Sequence, residues 1–220
     1  MRQFLKDNGL SLALFSLFAI SLVGQALTGW RAYAEELKIH ELPAMGLPAY
    51  LHSGHFISAV FENWESEFLQ MAMYVILTIF LFQKGASESK DPDESSPEDE
   101  SPAARRNDPK APWPVHRGGL ILKLYSHSLS IALVALFLAS FWLHVAGSTQ
   151  RMNEEAPWHH QPLKTMSQTL TDAGFWYESF QNWQSEFLSI GVLLVLGIFL
   201  RQRGSPESKP VAAPHAATGH

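Results

Sequence analysis

The sequence contains no cysteine, which excludes a disulfide, a thiolate metal site and a cysteine nucleophile. It also lacks a Walker loop, a dinucleotide-binding glycine pattern, a His-Glu-x-x-His pair and a Gly-x-Ser-x-Gly elbow. The usual sequence marks of nucleotide binding, zinc hydrolysis and serine hydrolysis are therefore missing. A non-enzymatic protein without a cofactor or a nucleic-acid partner is expected. Charge is missing from four stretches, residues 10–29, 68–82, 124–147 and 187–200. Averaged over the chain the hydropathy is near zero, because these runs are diluted by a strongly charged middle.

Runs of about 18–20 apolar residues suit helices that cross the hydrocarbon layer at about 1.5 Å of rise per residue. The second and fourth runs are shorter, and each follows directly on an Asn-Trp-x-Ser-Glu stretch that extends the helix toward the headgroups. Four spans are expected, at about 10–29, 61–83, 124–147 and 180–200.

The runs are related. A shift of 119 positions lays Phe61-x-Asn63-Trp64-x-Ser66-Glu67-Phe68-Leu69 on Phe180-x-Asn182-Trp183-x-Ser185-Glu186-Phe187-Leu188 without a gap. The same shift matches Gln83-x-Gly85 to Gln202-x-Gly204 and Glu88-Ser89-Lys90 to Glu207-Ser208-Lys209. It also lays Leu10, Leu14, Leu17 and Ser21 on Leu129, Leu133, Leu136 and Ser140. One offset serving a whole unit reads as a duplication. The expected fold is therefore an all-α membrane protein with four transmembrane helices, built as two parallel-duplicated helical hairpins over residues 1–84 and 120–203.

Charge placement sets the expected topology. Arg2, Lys6, Lys84, Lys123, Arg201 and Arg203 flank one side of the spans, whereas the opposite loops carry more Glu and Asp than Lys and Arg. The positive-inside rule then places both termini and the central segment in the cytoplasm of a multi-pass inner-membrane protein. The basic, apolar start followed by Gly24-Gln25-Ala26 also fits a cleaved signal peptide. The repeat favours a retained helix, because the equivalent stretch Ser126–His144 is internal. Residues 85–119 are rich in Ser, Asp, Glu, Pro and Lys and read as a disordered cytoplasmic linker; the tail 204–220 reads the same way.

On the spans, Ser128, Ala132, Ala135 and Ala139 form a small-residue stripe, largely kept as Gly9, Ala13 and Ser16. In lipid, small residues permit close helix approach, so the shared stripes point to the packed face of a four-helix bundle. Trp30, Trp64 and Trp183 read as interfacial aromatic anchors.

Polar candidates recur at one depth. Asn63 and Glu67 lie one helical turn apart, as do Asn182 and Glu186. Gln25 and His144 are equivalent positions near the outer ends of spans one and three. A Glu67/Glu186 layer with His144 nearby suits a cation, a proton or a small polar solute, since intramembrane carboxylates are costly. The simpler reading makes these groups hydrogen-bonded anchors at the headgroup boundary. His52 with His55 and His159 with His160 resemble metal-ligand pairs, but the shift places Thr171 and Gly174 opposite the first pair and no third ligand is evident. No metal site is expected.

Together, Leu22–Tyr33, Ser53-Gly54-His55-Phe56 and the doubled Asn-Trp-x-Ser-Glu-Phe-Leu resemble a family of small bacterial membrane proteins known as a domain of unknown function. The resemblance covers nearly the whole chain except the linker. It implies a bacterial integral membrane protein and no activity. The leading functional expectation is a structural or partner-binding membrane module in the lipid bilayer, with a membrane-protein partner or a second copy. The alternative is a small transporter or channel using Glu67 and Glu186.

Overall fold

A computed structural model describes residues 2–219, and among them every regular element is helical. In chain order they are α1 (Arg2–Ile39), α2 (Leu47–Tyr50), α3 (Gly54–Phe80), α4 (Trp113–Arg117), α5 (Gly119–Ser126), α6 (Ser128–Glu155), α7 (Met166–Thr169) and α8 (Ala173–Phe199), with short 3-10 turns between some of them.

Three helices are long and apolar enough to cross a membrane: Arg2–Ile39, Ser128–His159 (α6 with the 3-10 turn that follows) and Ala173–Phe199. The sequence marks α3 as a span too, and it is as long as α8, with 27 residues. Glu62, Glu65 and Glu67 in its first half, and its end at Phe80, leave a shorter apolar stretch inside the helix.

The helices extend outward beyond the apolar runs. α1 continues through Arg31–Ile39 and stops where Pro43 and Pro48 follow, since proline cannot continue the ladder. At the start of α3, the Ser53 hydroxyl accepts a hydrogen bond from the Phe56 N–H, 3.3 Å away. Asp172 does the same for α8, accepting from the Gly174 N–H at 2.8 Å. Both are N-caps, satisfying amides that an isolated helix end leaves open. The bounds of α3 and α8 differ by 119 positions at both ends, as do those of α2 and α7.

The chain divides into two compact units. One gathers residues up to Phe61 with Trp142–Phe175, and the other Glu62–Phe141 with the chain from Trp176 on. The first is built on a buried centre of Tyr33, Leu37 and Tyr50, packed by Trp30, Leu47, Phe56 and Trp158 among others. Trp30 donates its indole N–H to the Met45 carbonyl at 2.7 Å, which ties the α1 exit to the loop. In contrast, the apolar stretch of α1 has no buried residue. Leu10, Leu14 and Leu17, expected on a packed face, are 75%, 58% and 62% exposed. Lipid tails are as apolar as leucine, so nothing drives such a face inward.

In the second unit, the start of the linker meets the end of the tail. The Gly219 N–H donates to the Ala86 carbonyl at 3.0 Å, and the Gly85 N–H to the Thr218 hydroxyl at 2.9 Å. Gly85 has φ +88°, a left-handed conformation that favours glycine.

Candidate functional site

In the first unit, α3 and α6 cross with almost no side chain between them. A Cβ on Gly54 would stand 2.0 Å from the Arg151 amide nitrogen, and one on Gly147 would stand 2.5 Å from that of Ser58. Four residues separate the contacts on each helix and run in opposite directions, as two antiparallel helices in register require. Ser58 and Ser148 share a hydrogen bond between hydroxyls at 2.9 Å inside this crossing. The Glu154 carboxylate accepts from the Gly54 N–H at 3.1–3.2 Å, placing negative charge at the positive end of α3.

Above the crossing, the Tyr50 hydroxyl pairs with His55 Nδ1 at 3.2 Å, and the Tyr33 ring lies tilted against that of His55 with centroids 4.9 Å apart. Burial first, and then the nearby Arg151 charge, holds the His55 pKa below its ordinary value. His52 instead bonds the Pro48 carbonyl at 2.8 Å, so the two imidazoles make separate attachments. Asp172 is held below the usual carboxylate range, chiefly by Lys164, whose ammonium donates to it at 2.6 Å. His144 is fully buried in this unit, its ring centroid 4.7 Å from that of Phe175. Gln25 is half-buried on α1.

The second unit holds the carboxylates. Glu65 on α3 is 0% exposed and accepts the indole N–H of Trp183 on α8 at 2.9 Å. One turn earlier, Glu62 accepts from the Asn182 amide, which also reaches the Glu178 backbone carbonyl. A carboxylate oxygen of Glu62 lies within 4.8 Å of one on Glu178. Trp183 is framed by Phe180, Trp176 and Phe137, all nearly perpendicular or steeply tilted to its ring. Full burial of Glu65 strengthens this charge-assisted hydrogen bond, because the local dielectric is low.

The residues singled out by sequence separate accordingly. Asn182 and Trp183 reach α3, so Trp183 ties two helices together through its N–H. Asn63 and Glu67 are exposed, and Trp64 and Glu186 are half-buried. Trp30 sits against the buried centre of the first unit.

Sequence reasoning missed Glu62, Glu65 and Glu178. A search for positions matched by the 119-residue shift passes over them, because the shift pairs them with Gln181, Gln184 and Ala59. The available signal is divergence within an otherwise matched segment: a carboxylate at one position, an amide or methyl 119 positions away.

No curated protein and no solved structure matches the chain. A family described as a domain of unknown function (DUF6766) matches residues 1–220. With all of its length covered by that match, the chain belongs to this family.

Proposed function

We propose that the protein is a four-span bacterial inner-membrane protein made of two parallel hairpin copies, working as a non-enzymatic, partner-binding module. The duplication is supported by matched details. The Ser89 hydroxyl accepts from the Gln83 N–H at 2.8 Å, and the Ser208 hydroxyl from the Gln202 N–H at 2.9 Å. Gly85 and Gly204 share φ values of +88° and +86°. With α3 as a span beginning near residue 61, the basic residues fall on the side of the termini and linker, which the positive-inside rule assigns to the cytoplasm. Reporter fusions at Gly85 and Gly204 are expected to report cytoplasm, and an external signal at either refutes the four-span topology.

The observation that carries the function is the bare flank of α1, a membrane-length helix fastened near its outer end and unburied along its apolar stretch. Gly9, Ala13 and Ser16 on that flank suit close approach by the same helix of a second copy. Because the chain lacks cysteine, Ala13→Cys gives a single thiol for cross-linking in membranes. A disulfide-linked dimer is expected from Ala13→Cys and not from Leu12→Cys, about 100° around the helix. Equal yields from both positions, or none, refute the reading. Transport through Glu67 and Glu186 has less support, since Glu67 and Asn63 are exposed.

A further inference from the structure

We propose that the segment Arg105–Tyr125 is a surface anchor that binds the headgroups of anionic phospholipids beside α6. The proposal rests on α6 crossing a membrane, and on neither the number of spans nor a protein partner.

The segment is strongly basic. Between Ser101 and His127 the cations are Arg105, Arg106, Lys110, Arg117 and Lys123, against Asp108 as the single acid. The stretch before it is the reverse, with Asp91, Asp93, Glu94, Glu98, Asp99 and Glu100 against Lys90. Arg105 is paired with Glu100 at 3.2 Å. The other four cations are exposed and, among the described residues, have no carboxylate within ion-pair distance. Their charge is open to phosphate.

Apolar groups are interleaved with these charges. Trp113 is 64% exposed, and Leu120 and Leu124 are 71% and 54% exposed. Leu120 and Leu124 lie one helical turn apart on α5, with Ile121 beside them and Lys123 at the edge of their stripe. The opposite side of α5 carries Leu122, which is half-buried. A helix with an apolar stripe bordered by lysine lies in the plane of a bilayer surface, and an exposed indole suits the headgroup layer.

The local fold keeps these groups together. His116 donates from Nδ1 to the Arg106 carbonyl at 2.7 Å, and Arg106 Nε donates to the His116 carbonyl at 3.2 Å. This reciprocal pair fixes Arg106 against α4, which ends at Arg117 and buries Val115. His127 alone separates α5 from α6, so the segment is continuous with a helix of membrane length. A soluble polyanion would engage the cations and leave Leu120 and Leu124 in water. An anionic bilayer satisfies both, because basic residues next to a span are drawn to its negative surface.

The test uses the full chain reconstituted in vesicles of phosphatidylcholine, alone or mixed with phosphatidylglycerol. Leu120→Cys gives a single thiol in this cysteine-free chain for an environment-sensitive fluorophore. Blue-shifted emission is expected in the anionic vesicles, reverting at about 1 M salt, where screening acts within roughly 3 Å. Lys110→Gln, Arg117→Gln and Lys123→Gln should each move the docked-to-free ratio about fivefold toward free, equal to ~1 kcal/mol. The salt arm needs no charge variant and serves if these do not fold. A probe at Ser95→Cys, in the acidic stretch, should not respond. Equal emission from Leu120→Cys in both vesicles overturns the proposal, as does an anionic response that salt and the Gln variants leave intact. A shift produced in neutral vesicles by added RNA or inorganic phosphate, and not by phosphatidylglycerol, identifies a soluble polyanion and also overturns it. A probe at Leu138→Cys reports on α6 itself. Water-like emission there refutes the membrane reading, whereas bilayer-like emission with an unresponsive Leu120→Cys refutes the anchor alone.

Discussion

Gly147→Ala should separate two helices whose backbones touch. The added methyl would stand 2.5 Å from the Ser58 amide nitrogen and 2.9 Å from its Cα. These are backbone atoms, so relief requires movement of α3 or α6 and not a rotamer change. Overpacking of this kind costs about 1–3 kcal/mol. Moving the helices apart also weakens the Ser58–Ser148 hydrogen bond, worth about 1 kcal/mol. Against this stands the better helix propensity of alanine, about 0.8–1 kcal/mol. The net expectation is a loss of about 1–3 kcal/mol, or roughly 2–12 °C in Tm for a chain of this size. Gly24→Ala is the matched control, because a Cβ there has nothing within 4 Å and only the propensity gain applies. Thermal unfolding in detergent, followed by tryptophan fluorescence, reads both. If Gly147→Ala is as stable as Gly24→Ala, the close crossing is wrong.

Trp183→Phe keeps an aromatic ring but removes the donor to Glu65, and a buried carboxylate deprived of a partner should cost about 1–3 kcal/mol. Adding Glu65→Gln should recover part of the loss by removing the charge; a fluorescence melt in which Trp183→Phe matches the wild type refutes the contact. Stability should also fall with acid. His55 has a depressed folded pKa, so its contribution is complete above the ordinary histidine value of about 6.5 and is lost as pH drops through the folded value. Asp172 is depressed likewise, and its contribution goes below the ordinary aspartate value of about 3.9. A Tm that rises between pH 7 and pH 5 contradicts the first, and a Lys164→Met variant with unchanged acid sensitivity contradicts the second.

Much of this fold is legible in the sequence because lipid imposes simple rules. Uncharged runs located α1, α6 and α8, and the 119-residue shift anticipates the matched bounds of α3 and α8. Helix ends were less legible, since they depend on caps such as Ser53 and Asp172 outside the apolar runs. The crossing at Gly54 and Gly147 was hidden for another reason. A glycine reveals that something could come close, not which distant backbone does. The carboxylates were hidden because the 119-position match draws attention to Glu67 and Glu186, while Glu62, Glu65 and Glu178 fall on unlike residues.

The pairing of Gly54 with Glu154 spans 100 residues of chain, and this sets an order of events during synthesis. Elongation at about 5–20 residues per second leaves roughly 5–20 s between the emergence of α3 and that of its partner. During that interval Glu62 and Glu65 have none of their α8 donors. α1 has no such wait, because its apolar middle requires no partner and Tyr50 and His55 follow its outer end closely. The first helix is thus suited to enter a bilayer without helical partners, whereas the contacts of α3 wait for α6 and α8.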